Sequence, residues 1–466
     1  MKSTPLSYLL QNVEFDFISG GKDYEVYVVK GISTDSRTIS RGEFFIAIKG
    51  DRFDGHDFVE DVIKKGAAGV IIERAAINGF RHLKQVNVPV IAVDNTRRVL
   101  GDIAKNYLTQ FDVRKFVITG TAGKTTCKSL IGAILSECWN VVTSEKSFNN
   151  DIGVPKTILR VGDETDFLIQ EIGTNSPGEI AYLSGIIGQR YALVTNIGPA
   201  HVGFFGSVYK IAEEKRAAIE ILPEDGGAFL NAEDDYFEFL RSGTKAEVKS
   251  FGINKGDVSV ASIESMDLLG TRFRVDNERY FTGLTGYHGL SNALAGILVG
   301  RYFGIPEKII RDVLGNFKPE EGRGAVEIVN DIIILDESYN ANPLSVKRCL
   351  DFFDRINVEG KKIFVFSDML ELGEQSPEYH REIGRIISQS SVDVLLTFGE
   401  MAELVADECR KADNILVESF SDIDRLSERL ASLARAGDAM LIKGSRAMGL
   451  ERVKKNFSNL LVLNER

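Results

Sequence analysis

Residues 117–126 strongly constrain the fold of this chain, because they read Val-Ile-Thr-Gly-Thr-Ala-Gly-Lys-Thr-Thr. The stretch 115–119 predicts a short buried strand, and residues 127–137, which are apolar at helical spacing, predict the helix that follows. Gly120 and Gly123 allow the backbone to turn tightly and to expose its N–H groups. A strand, a glycine loop and a helix in this order predict a phosphate-binding loop.

At the end of this loop stand a lysine and a threonine, at the positions that contact phosphate and Mg²⁺ in phosphate-binding loops. Lys124 can reach the β- and γ-phosphates of a nucleotide, and Thr125 can ligate Mg²⁺. The loop is shorter than the usual phosphate loop, which would need glycine where Ile118 stands. The alternative, a glycine turn with a solvated lysine, is disfavoured by the strand before the loop and the helix after it. The residues predicted to contact a nucleotide are Gly120, Thr121, Ala122, Gly123, Lys124, Thr125 and Thr126.

The composition limits the class of protein. A chain of 466 residues that is 44% hydrophobic and 26% charged is typical of a soluble protein with roughly two to four domains. The net charge of −11 argues against nucleic acid as the main partner. Residues 1–20 show no signal-peptide pattern, and no apolar run is long enough to span a bilayer, so we expect a cytoplasmic protein without membrane insertion. The four cysteines form no C-x-x-C pair and are expected to be reduced thiols.

Residues 1–108 have the pattern of a small α/β unit. The polar run 33–37 precedes an apolar strand at 42–48, and a charged, glycine-rich loop follows at 50–58. Such loops suit a ligand, but they are equally expected if they are only solvated, so both interpretations stay open.

In residues 109–322, polar side chains follow two more predicted strands. Glu171 stands at the end of one, and the strand at 191–195 leads into Asn-Ile-Gly-Pro-Ala and then His201. Because ligands of doubly wound sheets bind at the carboxyl ends of strands, we expect Thr125, Glu171 and His201 to converge around Mg²⁺ and phosphate. A lone histidine is more often structural, and that alternative applies to His201.

The rest of this region contains a helix, a β-rich segment and one misleading motif. A helix is predicted at 207–222 with Lys215 in its middle, and residues 249–285 are rich in strands and turns. Asn-Lys-Gly-Asp at 254–257 matches a guanine-binding motif. No Asp-x-x-Gly lies between this motif and the phosphate loop, so we interpret it as a hairpin turn.

Residues 323–466 alternate apolar strands with amphipathic helices, which predicts a second doubly wound α/β domain. Polar runs follow three of its predicted strands, and clusters at successive strand ends indicate a binding site. These runs are residues 336–343, 367–374 and 443–446.

Together these motifs resemble the Mur ligases of peptidoglycan synthesis, over nearly the whole chain. The resemblance implies an α/β protein of three domains: a small UDP-sugar-binding domain at 1–108, a central phosphate-loop ATPase domain with a mostly parallel sheet at 109–322, and a C-terminal Rossmann-like domain at 323–466 that binds the incoming dipeptide. The Ser-Tyr-Asn-Ala-Asn-Pro and Asp-Met-Leu-Glu-Leu-Gly-Glu runs are typical of the family member that adds a dipeptide. The motifs are residues 120–126, 148–155, 171–173, 177–180, 195–201, 336–343, 368–374 and 443–446.

The resemblance also implies the metal and catalytic residues. Thr125 and Glu171 correspond to ligands of one Mg²⁺, and His201 and Lys215 to the surroundings of a second Mg²⁺, with Lys215 carbamylated. The family's glutamate two residues after this lysine is Ala217 here. A solvated surface lysine is the plain alternative for Lys215. The catalytic residues implied are Lys124, Glu171, His201, Lys215 and Arg323.

The remaining roles concern the nucleotide and the substrates. His288 and Asn292 correspond to adenine contacts, Arg323 to the arginine that reaches the γ-phosphate, and Glu337 to the ribose-binding acid. Gly289 replaces a common asparagine, and Glu337 stands where aspartate is common. Ser36, Asn149 and Asn150 correspond to UDP-sugar contacts, and Asn340, Asn342, Lys443 and Ser445 are candidates for the dipeptide.

The reaction implied is ATP-dependent joining of D-alanyl-D-alanine to UDP-N-acetylmuramoyl-tripeptide through an acyl phosphate, by a monomer. One alternative is an amide ligase of the same fold that adds a single amino acid, or glutamate to folate. The dipeptide-type runs and the lack of an Asp-Asn-Pro-Arg run argue against it. A phosphate-loop switch or binding module is the other alternative. The missing Asp-x-x-Gly and the large last domain argue against that.

Overall fold

The computed structural model describes residues 1–19, 26–50, 52–86, 88–412 and 414–464, so Asp51 of the predicted glycine-rich loop lies outside the described residues. The chain forms two compact units. The first unit comprises Met1–Ile118, Trp139–Thr174 and Gly178–Ala192, and the second comprises Thr119–Cys138, Asn175–Pro177 and Leu193–Arg466.

The amino-terminal part of the first unit is built on a five-stranded sheet, parallel except at one edge. Its inner strands are continuous apolar runs, and all four residues of Val90–Val93 are buried. Such runs are expected where both faces of a parallel sheet are covered. In sheet order the strands are Asp16–Ser19, Val90–Val93, Gly69–Glu73, Phe44–Ile46 and Ile32–Ser33.

Short helices and turns complete this part of the unit. The helix Val59–Lys64 comes soon after the glycine-rich loop. The helix Thr96–Leu108 begins where the Asn95 side chain accepts the Arg98 N–H as an N-cap. The helices are Leu6–Leu9, Val59–Lys64 and Thr96–Leu108, with 3-10 segments at Gly55–Phe58 and Arg74–Gln85. Thr4–Pro5 and Val28–Val29 form an antiparallel pair.

The first unit also contains strands of the central region. Phe167–Glu171 pairs in parallel with Arg114–Thr119 on one side and with Val141–Thr143 on the other. Glu171 is the last residue of its strand, as predicted. The helices here are Gly153–Ile158 and Glu179–Ile187, and the strand Tyr191–Val194 extends from the first unit into the second.

In the second unit, the phosphate-loop helix Lys124–Ser136 packs closely against the helix Gly286–Tyr302. A Cβ atom on Gly296 would lie 3.0 Å from Leu130, so the two helices approach closely at this glycine. The other helices of this part are Val202–Phe205, Val208–Glu220, Phe237–Arg241 and Glu307–Asn316. The strands are Gly227–Asn231, Glu247–Gly252 and Val258–Ser259, which pair in parallel, and Ser262–Asp267, Gly270–Val275 and Glu278–Thr282, which form an antiparallel sheet.

The predicted hairpin at 254–257 is wrong, although the segment is a turn. The strands on either side of it pair in parallel, not antiparallel. The Glu233 carboxylate accepts the N–H groups of Ile253 and Asn254 together with the Asn254 side-chain amide, and this holds the chain in a loop that leads back alongside the first strand. The Asn254 side chain is therefore engaged within the protein and does not read a base.

The last part of the second unit is a six-stranded sheet with helices on both faces, as predicted for a Rossmann-like domain. All pairs are parallel except the first. In sheet order the strands are Ala325–Val329, Ile332–Glu337, Ala439–Lys443, Lys362–Ser367, Val394–Phe398 and Leu416–Phe420. The helices are Pro343–Arg355, Ser376–Ser388, Ala402–Cys409, Ile423–Leu433 and Glu451–Asn464, with 3-10 turns at Gly373–Gln375 and Arg446–Met448.

The α/β class of the chain is therefore confirmed, whereas the domain boundaries at 108/109 and 322/323 stay predictions. Among the described residues, no helix has both the length and the apolar character needed to cross a membrane.

Candidate active site

The phosphate loop has the backbone that its two glycines predict. Gly120 has a φ of 142° and Gly123 a φ of 80°, and Gly123 directly precedes the helix Lys124–Ser136. A Cβ atom on Gly120 would lie 1.9 Å from Thr195 Oγ1, so no larger residue fits there. The N–H groups of the first helical turn have no acceptor within their own helix, and they suit an anionic phosphate.

Asn196 supports this loop from the neighbouring strand end. The N–H groups of Thr121 and Ala122 donate to Asn196 O and Oδ1, both at 2.9 Å. The Asn196 side-chain amide and the Thr195 hydroxyl donate to Ala122 O. Because two loop N–H groups are engaged in this way, residues 123–126 supply the amides best suited to phosphate. The role of Asn196 was not predicted, and its only signal in the sequence is its place after a strand.

Lys124 folds back over the loop instead of extending into solvent. Its Nζ donates to Gly120 O at 2.9 Å and to Thr121 O at 3.3 Å, and the side chain is half-buried. Thr125 follows in the first helical turn and is 1% exposed. The solvated-lysine alternative therefore does not describe this structure, and the cation lies where phosphate oxygens would meet the loop.

The predicted adenine contacts lie on the helix that packs beside the loop. Asn292 is buried, and a Cβ atom on Gly123 would lie 2.8 Å from Asn292 Oδ1, so Asn292 lies directly against the phosphate loop. His288 is one helical turn earlier on the same face. Its Nε2 is 3.5 Å from Glu337 Oε1, which connects the predicted adenine and ribose contacts.

Glu337 and Lys443 form a buried ion pair at two adjacent strand ends. The parallel register places the two residues side by side, and Lys443 Nζ lies 3.3 Å from Glu337 Oε2 and 3.2 Å from Asn340 O. Burial by itself raises the pKa of Glu337. The Lys443 ammonium and a hydrogen bond from His288 outweigh this effect and lower the pKa to about 2. Glu337 is therefore an anion held by Lys443.

This pair belongs to a cluster that superficially resembles a metal site. Donor atoms of His288, Glu337 and Cys349 lie within 4.8 Å of one another. However, burial raises the pKa of the Cys349 thiol to about 12, and the Lys443 ammonium beside Glu337 would repel a cation. The donor set does not fit a metal ion.

Arg323 is positioned by an aromatic ring and by an acid. Its guanidinium carbon lies 3.7 Å from the centre of the Tyr339 ring, and its Nε lies 3.9 Å from Glu320 Oε2. Ser129 and Lys128, on the phosphate-loop helix, contact Glu320 Oε1 at 3.0 Å and 3.8 Å. This chain of contacts holds Arg323 near the helix that begins at the loop.

His201 has a left-handed backbone, with a φ of 58°, and begins the short helix Val202–Phe205. Its Nδ1 lies 2.6 Å from Glu371 Oε2, and the hydrogen bond from His201 lowers the pKa of Glu371. This contact was not predicted. Because the two residues lie far apart in the sequence, no local pattern indicates it.

Lys215 is 3% exposed, so the alternative of a solvated surface charge is wrong. It lies on the helix Val208–Glu220, one turn after Ile211, which packs against Val202 and Phe205. Residues four apart share a helix face, so Lys215 lies on the face of this helix that carries Ile211.

The first unit contains Glu171 and the predicted UDP-sugar contacts. Glu171 is 1% exposed, and its carboxylate accepts the Asn149 side-chain amide at 2.8 Å. The Asn150 side chain accepts the N–H of Gly153, the first residue of the helix Gly153–Ile158, at 2.9 Å. Ser36 is half-buried in a turn, where its carbonyl accepts from Lys65. Asn149 therefore orients a predicted metal ligand, a role that the sequence did not indicate.

Of the predicted dipeptide contacts, only Asn340 is exposed. Asn342 forms a capping box with Ser345 at the start of the helix Pro343–Arg355. The Ser445 hydroxyl accepts the Leu370 N–H at 2.9 Å. Lys443 is committed to Glu337, so three of the four residues make contacts within the protein.

A phosphate loop at a helix start, an arginine held near that helix and a Rossmann-like region with a polar strand edge are features of a nucleotide-binding α/β protein. Three family models match successive parts of the chain. They are described as Mur ligase family, catalytic domain, at residues 28–108; Mur ligase middle domain, at 118–300; and Mur ligase, glutamate ligase domain, at 324–446. The chain belongs to the Mur ligase family. It is an ATP-dependent ligase that forms amide bonds.

Proteins similar to this chain over most of its length include two bacterial UDP-N-acetylmuramoyl-tripeptide–D-alanyl-D-alanine ligases. That of Bacillus subtilis strain 168 is 32% identical, over 93% of this chain and 94% of the relative. That of Escherichia coli strain K12 is 30% identical, over 94% and 96%. Among solved structures, MurF from Acinetobacter baumannii has a TM-score of 0.89 at 26% identity, over 98% of this chain and 99% of that chain. MurF ligase from Thermotoga maritima in complex with ADP has a TM-score of 0.82 at 28% identity, over 94% and 99%.

Proposed function

We propose that this chain joins D-alanyl-D-alanine to UDP-N-acetylmuramoyl-tripeptide, with ATP, in peptidoglycan precursor synthesis. The observation that carries the proposal is the full-length similarity to ligases named for this reaction, at 32% and 30% identity. The dipeptide-type runs at 338–343 and 368–374 support the same acceptor. We further propose a cytoplasmic location and a monomeric state, with no nucleic-acid partner.

ATP would bind with its phosphates on the loop. The amides of residues 123–126 and the Lys124 ammonium face that position, and Arg323 adds a second cation for the γ-phosphate. Asn292 and His288 would contact the adenine, and Glu337 the ribose. Glycines that leave no room for a Cβ atom, together with a helix start, form a cradle that fits a phosphate group.

We also propose that the chain binds two Mg²⁺ ions. Thr125 and Glu171 would ligate one ion, and His201 and Lys215 would lie at the other. Hydroxyl and carboxylate oxygens are ligands that Mg²⁺ prefers, and Glu171 is a buried carboxylate held by Asn149. Bound Mg²⁺ would neutralise negative charge on the transferring phosphoryl group.

In the reaction, the terminal carboxylate of the tripeptide attacks the γ-phosphorus of ATP, and ADP leaves. The resulting acyl phosphate makes the carbonyl carbon electrophilic. The free amine of D-alanyl-D-alanine then attacks this carbon, the new amide forms, and phosphate leaves with the electron pair of the broken C–O bond. Lys124 and Arg323 would stabilise the charge on the transferring group throughout the first step.

We also propose that Lys215 acts as a carbamate. The side chain is 3% exposed, so a carbamate formed there would be shielded from solvent. The neutral amine and CO₂ give a carbamate and one proton, and the carbamate supplies oxygen ligands and negative charge near His201. Ala217 replaces the family's usual glutamate, so the second ion would rely on fewer acidic neighbours.

On the substrate side, we propose that Ser36, Asn149 and Asn150 hold the UDP-sugar moiety. A cavity of about 230 Å³ in the first unit is lined by Asn150, Arg97, Arg98 and Tyr182, among other residues, which provides polar and aromatic contacts next to Asn150. We propose that four residues form the dipeptide site: Asn340, Asn342, Lys443 and Ser445. Asn340 would contact the dipeptide directly, and the other three, which are buried, would hold the loops around it.

A phosphate-release assay with a panel of UDP-muropeptides and acceptor amines tests the proposal. We expect release only when UDP-N-acetylmuramoyl-tripeptide and D-alanyl-D-alanine are both present. Release with a single amino acid such as glutamate instead would identify another amide ligase of this family. Release without any acceptor or muropeptide would indicate a nucleotide hydrolase and overturn the proposal.

A further inference from the structure

We propose that Glu371 is a positioning residue for His201: its carboxylate holds the imidazole by Nδ1, so that Nε2 remains the nitrogen presented for phosphoryl chemistry. The inference rests on the proposed function, because it assigns His201 to the phosphoryl site. Glu371 lies in the dipeptide-type run 368–374, whose expected role is acceptor binding. The contact assigns this acid instead to the ATP side of the reaction.

The two side chains meet at close range. Nδ1 of His201 lies 2.6 Å from Glu371 Oε2. Nδ1 is buried and makes no aligned hydrogen bond in this conformation, so the close approach of the carboxylate is the contact that carries the inference. In a neutral imidazole one nitrogen carries the proton and the other accepts. A carboxylate beside Nδ1 favours the tautomer with the proton there, which leaves the Nε2 lone pair for a ligand. The same arrangement of a carboxylate on the far nitrogen orients histidines that bind metals.

The backbone conformation of both residues, and the close approach of their two loops, support this contact. His201 and Glu371 are both left-handed, with φ values of 58° and 66°, which costs an ordinary residue roughly 1–2 kcal/mol. The Gly203 N–H donates to Glu371 O at 3.3 Å. A Cβ atom on Gly203 would lie 2.7 Å from Gly373 N, so the two loops approach backbone to backbone at these glycines. Two strained residues that face each other indicate a conformation enforced by its surroundings.

The loop that carries Glu371 is itself fixed to the Rossmann-like part of the unit. The N–H groups of Met369 and Leu370 donate to His380 Nε2 and Ser445 Oγ, both at 2.9 Å. The Ser445 N–H donates to Asp368 O at 3.2 Å. Glu371 therefore projects from a rigid base, which is what positioning another side chain requires.

The competing explanation is that Glu371 binds the ammonium group of D-alanyl-D-alanine. The two roles differ in the kinetic constant that they affect. Loss of a positioning contact lowers kcat and leaves the KM for the dipeptide unchanged. Loss of a direct acceptor contact raises that KM.

The first measurement determines which imidazole nitrogen of His201 carries the proton, in the full-length enzyme without substrates. The chain has five histidines, so ¹H–¹⁵N correlation spectra of [¹⁵N]histidine-labelled protein resolve few imidazoles, and His201→Gln identifies the signal of interest. We expect a proton on Nδ1 of His201 in the wild type. In Glu371→Ala we expect a shift toward the tautomer with the proton on Nε2. An unchanged tautomer in Glu371→Ala would overturn the proposal.

The second measurement separates kcat from KM. Glu371→Gln keeps the shape and an oxygen acceptor for Nδ1–H, and Glu371→Ala keeps neither. We expect kcat to fall about 10- to 100-fold in Glu371→Ala and less in Glu371→Gln, with the KM for D-alanyl-D-alanine within about twofold of wild type. Glu378→Gln, an exposed acid on the next helix that pairs with Arg385, is the matched control and should behave as wild type.

A rise in the dipeptide KM with kcat unchanged would assign Glu371 to acceptor binding and overturn the proposal. Equal thermal melting temperatures of the variants would show that altered kinetics do not reflect unfolding. If the wild type shows no ligase activity, the proposed function fails. The tautomer measurement needs no substrate and still tests the contact between Glu371 and His201.

Discussion

Replacing Lys443 with methionine is the most informative single perturbation of the candidate site. The substitution keeps most of the side-chain volume but removes the ammonium that Glu337 faces at 3.3 Å. Lys443 is 1% exposed, so water cannot replace its charge. Glu337 would then either remain an unpaired buried anion or take up a proton, and both outcomes cost free energy.

The magnitude follows from the burial and from the pKa of Glu337. Breaking a buried ion pair by removing one partner typically costs about 3–5 kcal/mol. The lowering of the Glu337 pKa from 4.5 to about 2 corresponds to about 3 kcal/mol of stabilisation of the charged form, since a shift of one pKa unit is about 1.36 kcal/mol. Lys443 and His288 share this effect. We therefore expect Lys443→Met to lower the free energy of unfolding by about 3 kcal/mol at pH 7.

The pH dependence has a definite sign. Because the folded-state pKa of Glu337 is below its unfolded value, its contribution to stability is complete above pH 4.5 and is lost as the pH falls toward 2. The difference in unfolding free energy between the wild type and Glu337→Gln should therefore shrink over this range.

Urea unfolding followed by circular dichroism measures the stability, and initial rates measure the KM for each substrate. Because Lys443 holds the predicted ribose contact, we expect the KM for ATP to rise about tenfold. Lys443 also holds Asn340 O, so we expect the KM for D-alanyl-D-alanine to rise as well, by a smaller factor. Lys347→Met removes a half-exposed pair with Glu382 and should cost less than about 1 kcal/mol. A loss below 1 kcal/mol in Lys443→Met would refute the energetic argument. A rise confined to the dipeptide KM would refute the positioning role of Lys443.

Three further predictions concern the proposed reaction. Lys124→Ala should lower turnover at least about a thousandfold in the phosphate-release assay without changing the melting temperature, and turnover within tenfold of wild type would contradict its role at the β/γ-phosphates. D-alanyl-D-alanine should have a far higher kcat/KM than any single amino acid, and a comparable value for L-lysine or D-glutamate would overturn the acceptor assignment. Lys215→Ala should abolish ligation, and added acetate or formate should restore part of the activity. Wild-type enzyme stripped of CO₂ should lose activity and recover it with bicarbonate. Near-normal ligation by Lys215→Ala would rule out the carbamate.

Much of the fold could be predicted because it depends on local patterns. The strand, glycine loop and helix at 115–137 are encoded in consecutive residues, and the positive φ of Gly123 is a property that glycine adopts easily. The apolar strands of the Rossmann-like part alternate with amphipathic helices, and these periods are visible without any partner. The hairpin predicted at 254–257 was wrong because the flanking strands pair in parallel, and the loop between them is held by Glu233, which lies outside this segment.

The sequence by itself predicted which residue types carry the proposed chemistry: Lys124, Glu171, His201 and Glu337. Of these, Glu171 and Glu337 are the last residues of their strands in the structure. Only the tertiary structure decided what holds them. Glu337 meets Lys443, His201 meets Glu371, and the loop amides meet Asn196, across separations of 106 residues and more in the first two cases. The physical reason is that backbone conformation responds to near neighbours in the chain. A buried charge or imidazole instead takes its partner from whichever strand end or loop the packing brings within hydrogen-bond distance.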